Sequence, residues 1–304
     1  MIDVENKAGE SRKGLLSILA AYTAWGFLPV YWKALQGVPA LDILCHRIAW
    51  SVVFVGFLLL ATRRLAALKG LMAEKRVLLL LCCSSLMIGI NWLVYIWAVN
   101  EGKILETALG YYINPLVNVF FGVAFLRDRL RPAQWAAIAL AAAGVALQVA
   151  FIGRLPAVAL GLALSFALYG LIRKVTPVDA LTGLFVETLV LLLPALAWLF
   201  LGSGTVAPAA RENVRMALLA GTGLVTSLPL IWFAYGARRL SLVTVGLLQY
   251  LSPTIGFAIG MLLYGETLSP VEWVTFACVW GALALYTASA LLAARETGRA
   301  GAVS

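Results

Sequence analysis

Ten runs of roughly 20 mostly apolar residues, separated by short polar segments, constrain this chain more than any other feature. At 1.5 Å per residue a helix of that length spans about 30 Å, the thickness of a bilayer's hydrocarbon core. The runs cover 15–32, 43–61, 77–99, 107–126, 133–152, 155–172, 180–201, 216–237, 240–264 and 271–294. Composition excludes a soluble fold. Only 12% of the 304 residues are charged, too few to clothe a water-facing surface, for which soluble domains use roughly 25%. The stretch 133–172 is almost unbroken and as one helix would run about 60 Å, twice the core thickness. It must be two helices, turning at Gly153, Arg154 and Pro156. The fold class that follows is an all-α polytopic membrane protein with ten transmembrane helices.

The net charge of +9 would suit a nucleic-acid binder only if the basic residues formed a patch with interleaved aromatics. They cluster instead between the apolar runs, so no nucleic-acid partner is expected. Seventeen Lys and Arg residues fall on one side of the zigzag and five on the other. The rich side includes Arg63, Arg64, Arg127, Arg129, Arg173, Lys174, Arg238 and Arg239, and the poor side holds Lys33, Lys103, Arg154, Arg211 and Arg215. The positive-inside rule therefore puts both termini in the cytoplasm. Cys45, Cys82, Cys83 and Cys278 sit inside apolar runs without metal-ligand spacing and read as packing residues. The first run is too long and too aromatic for a cleaved signal peptide. No HExxH, GxSxG or GxxxxGK[ST] motif occurs, and with one histidine in the chain neither an enzyme site, a metal nor a cofactor is expected.

Shifting the chain by 138 residues aligns Tyr112–Trp135 with Tyr250–Trp273 without a gap. The matches include Tyr112 with Tyr250, Pro115 with Pro253, Pro132 with Pro270 and Trp135 with Trp273. Apolar composition matches Leu to Leu easily but seldom aligns two prolines, a tyrosine and a tryptophan in register. The unit is five helices: residues 1–152 form the first repeat, and 153–304 form the second with a cytoplasmic tail. An odd number sends the second copy into the bilayer from the other side, the inverted-topology arrangement of many transporters. Ser269-Pro270-Val271-Glu272 has the capping-box pattern for the start of the tenth helix, and Arg131-Pro132-Ala133-Gln134 is its counterpart without the hydroxyl.

The fourth span places Thr107, Tyr111, Asn114 and Asn118 on one helix face, with Pro115 expected to break the backbone ladder beside them. The ninth span carries Gln249 and Ser252 beside Pro253. Polar groups and irregular backbone at membrane depth either line a cavity or hold helices together. Read as a cavity, these faces form a solute site between the halves, joined by Trp25, Arg47, Asn91 and Tyr95. Such a mixture suits an organic solute with apolar bulk and a carboxylate or other polar head. Arg47 and Glu187 are costly inside a span, and their opposite depths argue against a direct pair. Glu187 and His46 are the candidates for coupling proton flow to solute flow. Gly256 and Gly260, and the alanines of the fifth span, fit either internal packing or a dimer seam, leaving the oligomeric state open.

The chain resembles the RarD group of the EamA branch of the drug/metabolite transporter superfamily. The resemblance rests on Trp25-Gly26, Tyr31-Trp32-Lys33, His46-Arg47-Ile48-Ala49-Trp50-Ser51 and Asn91-Trp92 through Asn100. It continues through Gly110-Tyr111-Tyr112-Ile113-Asn114-Pro115-Leu116-Val117-Asn118, Gln249-Tyr250 and Pro253-Thr254, and it runs from about Lys13 to Ala294. It implies ten helices in two inverted repeats, a central cavity and a permease role in a bacterial inner membrane, moving a small metabolite or drug. The rival readings are a non-transporting membrane subunit or assembly factor, and an intramembrane enzyme. The chain departs from the family at one corner: Gly265-Glu266 follows the ninth span, whereas Arg127-Asp128 follows the fourth.

Overall fold

A computed structural model describes residues 2–101, 103–153, 155–202, 213–265 and 269–302; Arg154, Arg211 and Glu266 lie outside the described residues. Among these, ten helical segments are long and apolar enough to cross a membrane, one for each run expected from the sequence. The first half comprises α1 (Ile2–Ala34), α2 (Ala40–Ala61), the short α3 (Leu65–Ala73), α4 (Lys75–Asn100), α5 (Ile104–Leu126) and α6 (Pro132–Ile152). The second comprises α7 (Ala157–Val175), α8 (Ala180–Ala197, extended by one π-helical turn to Gly202), α9 (Asn213–Ala237), α10 (Leu242–Leu248), α11 (Leu251–Tyr264) and α12 (Pro270–Ala302). Outward-facing apolar side chains such as Phe57, Phe120, Phe125, Leu193 and Leu262 are solvent-exposed in the isolated chain. They are the surface that lipid must cover.

Helix neighbours obey an exchange rule. The α1·α9 contact is matched by α4·α7, α5·α7 by α1·α11, and α2·α9 by α4·α8. The pairs α2·α8, α5·α10 and α6·α12 map onto themselves when the halves are exchanged. The alanine-rich face of α6 is internal: Ala137 and Ala141 are fully buried against Val279 and Ala282 of α12. A Cβ on Gly144 would lie 2.8 Å from that of Cys278, so the glycine sets how closely these helices approach.

The two proline corners differ from expectation. α5 runs unbroken through Pro115, whereas the ninth crossing is interrupted between α10 and α11 at Gln249 and Tyr250. Pro253 explains the second case. It has no N–H to give the Gln249 carbonyl, which instead accepts from the Ser252 amide at 3.1 Å, a tighter turn than the α-helix. Of the two prolines, only Pro253 accompanies an interruption.

At the helix ends the sequence patterns act locally. The amide and hydroxyl of Ser269 both donate to Glu272 at 2.8 Å, and the Glu272 amide donates back to the hydroxyl. Arg131 retains one half of that arrangement, its amide donating to Gln134 at 2.9 Å. The departing corner keeps its shape. Arg127 (φ 57°) and Gly265 (φ 66°) both end their helices in the left-handed conformation, although only glycine does so without steric cost. Asp128 then accepts from the Leu242 amide at 3.0 Å and so caps the start of α10.

Candidate functional site

The polar and ionisable residues singled out in the sequence do not meet in one place. They divide into three groups of different chemistry, with Trp25 apart from them.

The first group surrounds Arg47. Its guanidinium carbon lies 4.1 Å from the Trp92 ring centre and 5.6 Å from that of Trp32, close enough for both ring faces to attract the cation. Tyr95 and Tyr111 meet edge to face with centroids 6.4 Å apart, and both hydroxyls lie within electrostatic reach of Arg47. Among the described residues nothing accepts a hydrogen bond from Arg47, and its buried Nε has no partner. Tyr111 remains 46% exposed, so the group is not sealed inside the bundle. His46 is half-buried beside Arg47 on α2.

The second group is an amide ladder at the seam of the halves. Asn118 donates to Asn114 at 2.9 Å and to Gln249 at 3.1 Å, and Asn114 donates to the Ala163 carbonyl at 2.8 Å. All three side chains are buried. Gly246 makes the ladder possible, because a Cβ there would sit 2.8 Å from both the Asn118 Cβ and the Pro115 carbonyl. Asn91 does similar work between α4 and α7, donating to the Leu162 carbonyl at 2.9 Å and the Ser165 hydroxyl at 3.0 Å. In this conformation these amides bind helices, and the cavity reading is corrected to that extent. One acceptor is left over, the Oδ1 of Asn118. Ser252, half-buried, stands beside the interruption.

The third group centres on Glu187. The fully buried Arg173 lies beside it, Nε to Oε1 3.6 Å. Ser84 donates to the same carboxylate at 2.5 Å, Tyr169 donates at 3.4 Å, and Ser85 donates to the Glu187 carbonyl at 2.8 Å. Gly183 opposes the guanidinium so closely that a Cβ would fall 2.0 Å from Nη1. Arg173, placed among the loop charges by the sequence, belongs inside the sixth crossing. The signal for it was present: an intramembrane acid needs a cation, and Arg173 is the one within reach.

Around this third group the helix ends are tied across the halves, Arg64 pairing with Asp179 at 3.3 Å and Arg239 with Glu10 at 2.7 Å. Within the second half Arg238 donates to the Val178 carbonyl. Asp179 caps α8 by accepting from the Leu181 and Thr182 amides. Burial alone would raise its carboxyl pKa, but these bonds and Arg64 outweigh burial and hold it below the usual value. Trp25 lies elsewhere, in a ring cluster with Tyr22, Phe166 and Phe233 at 5.6–5.7 Å.

The model of the EamA-like transporter family matches twice, over residues 12–150 and 156–288. The chain belongs to the EamA-like transporter family. Within it the relatives are of the RarD type. An uncharacterised transporter of Vibrio cholerae is 43% identical over 96% of this chain and 97% of its own length. Protein RarD of Escherichia coli is 42% identical over 96% and 99%. A solved crystal structure with 18% identity covers 90% of this chain and 96% of its own, with a TM-score of 0.69, and it shares the fold. This EamA protein is thus a multi-pass bacterial membrane transporter.

Proposed function

We propose that the chain is a secondary carrier that moves a small organic solute across the bacterial inner membrane by alternating access, its halves acting as inverted repeats. The exchange rule among helix neighbours carries this reading, since two halves packed alike but entering from opposite sides can adopt either of two tilts that are interconverted by exchanging the halves. The double match to the family model supports the same division. The strongly basic end, which holds Arg173, Glu187 and both termini, is the cytoplasmic one.

On this reading the Arg47 group faces the outside, and the Arg173–Glu187 pair with its flanking ties closes the inside. Glu187 serves this reading best as one half of a latch. Proton coupling would require the carboxyl to leave Arg173 before it could take up a proton, and His46 is the remaining candidate carrier. The amide ladder of Asn114, Asn118 and Gln249 is the pivot that must rearrange, with Ser252 and Pro253 at its flexible end.

Two measurements test the proposal. Cysteine at Arg129 should be shielded from an impermeant thiol reagent in intact cells while cysteine at Glu101 reacts, and the reverse pattern contradicts the orientation. A solute found by thermal-shift screening of metabolites and antibiotics should then exchange across proteoliposomes containing the purified chain. Binding without exchange would favour a non-transporting subunit.

A further inference from the structure

We infer that the Arg47 group is a recognition site for a carboxylate carried on a planar or apolar body, formed entirely by the first half of the chain. This deepens the carrier reading and rests on it for its consequence, that the transported solute is an organic anion.

An unpaired guanidinium inside a membrane span is costly, and such a residue normally meets an acid, a backbone carbonyl or water. Arg47 meets none of the first two among the described residues. The nearest acid on its own helix, Asp42, is five residues away on another side of α2 and accepts from the Trp198 indole at 2.9 Å. The ordinary alternative is that the side chain climbs to the interface. The stacking argues against it. Trp92, against which the guanidinium packs, is itself buried and lies six residues below Ala98, the outer end of its span, or about 9 Å at helical rise.

The geometry also says which part of Arg47 is available. A guanidinium lying over an indole face has its plane occupied while its N–H donors radiate from the edge. Those donors form the fork that receives a carboxylate bidentately. Tyr95 and Tyr111 supply hydroxyls near the cation, and the half-buried Trp32 supplies ring surface for the apolar part of the ligand, while Trp92 holds the guanidinium in place. A hydrated inorganic anion would gain nothing from those rings, and a cation would be repelled. A neutral solute could stack there but would leave Arg47 unpaired.

The test uses the full-length chain in lipid nanodiscs, with calorimetry and thermal unfolding as readouts. Phenylacetate is the probe, phenylacetamide its uncharged analogue, and sodium chloride the ionic control. Phenylacetate should bind saturably and raise the unfolding temperature, while the amide and chloride should do neither. Arg47→Gln should weaken phenylacetate binding by about tenfold or more, the effect of losing hydrogen bonds to a charged group. Arg47→Lys should retain part of the affinity, which guards against a folding defect in the Gln variant. Equal binding of acid and amide, no binding of phenylacetate to the parent protein, or unchanged binding in a folded Arg47→Gln variant would each overturn the inference. Binding with the expected Arg47 dependence but no exchange of labelled phenylacetate across proteoliposomes would instead sink the carrier reading and leave the anion site standing.

Discussion

Arg47 and Glu187 are each the eighth residue of their helices, α2 and α8, which face one another as self-paired elements of the two halves. Counted from the helix starts, the same position thus holds a cation in the first half and an anion in the second. Their surroundings differ in kind. Glu187 is closed in by Arg173, Ser84 and Tyr169, whereas Arg47 has ring faces and no acceptor. A buried charge that already has its counter-ion is part of the scaffold or a latch; one without it is waiting for a partner that arrives from elsewhere. Under the proposed carrier reading the difference gives the two positions opposite tasks, one closing the bundle and the other receiving the solute.

Removing single members of each group should separate those tasks. The largest effect is expected for Arg173→Ala, which strands the Glu187 carboxylate. Breaking one side of a buried pair costs about 3–5 kcal/mol, so thermal unfolding in detergent should fall steeply. The double variant Arg173→Met with Glu187→Leu should recover most of the loss, and failure to recover would mean that Arg173 acts through packing alone. Gly183→Ala should come next, at about 1–3 kcal/mol, because the added methyl displaces the guanidinium from a filled space. The smallest change in stability is expected for Arg47→Met, within about 0.5 kcal/mol of the parent or better, as it exchanges an unpaired charge for apolar volume. A loss comparable with that of Arg173→Ala would show that Arg47 has a structural counter-ion and would erase the contrast between the two sites.

How much of this was legible beforehand follows from the range of the interactions. The spans depend on composition along the chain, and the capping of α12 by Ser269 and Glu272 on residues three apart, so both can be read from the sequence. The chemistry of the Arg47 group was partly legible, because an aromatic-rich outer end and a buried cation are local features. Trp92 as the stacking partner was not, because it depends on how α4 packs against α2. The Arg173–Glu187 pair was hidden by position: Arg173 lies in the last turn of α7, where a basic residue ordinarily marks the membrane edge. Only the approach of Gly183 and the buried end of α8 carries it inside. The amides of α5 were visible as a stripe, but a stripe cannot say whether its donors face a solute or another helix. That Asn118 reaches Gln249 is a consequence of Gly246 letting α10 approach closely.

The claim that the two sites open in alternation is tested most directly by thiol accessibility in oriented vesicles, with Cys45, Cys82, Cys83 and Cys278 replaced. One reporter is Ala108→Cys, exposed one helical turn outward from Tyr111; the other is Thr188→Cys, buried beside Glu187. In the parent background the first should react with reagent applied outside, and the second should resist reagent applied inside. Adding Glu187→Gln weakens the latch, and should raise the rate at position 188 while lowering the rate at position 108. A rise at position 188 with no fall at position 108, or no change at either, would contradict alternation between the two sites.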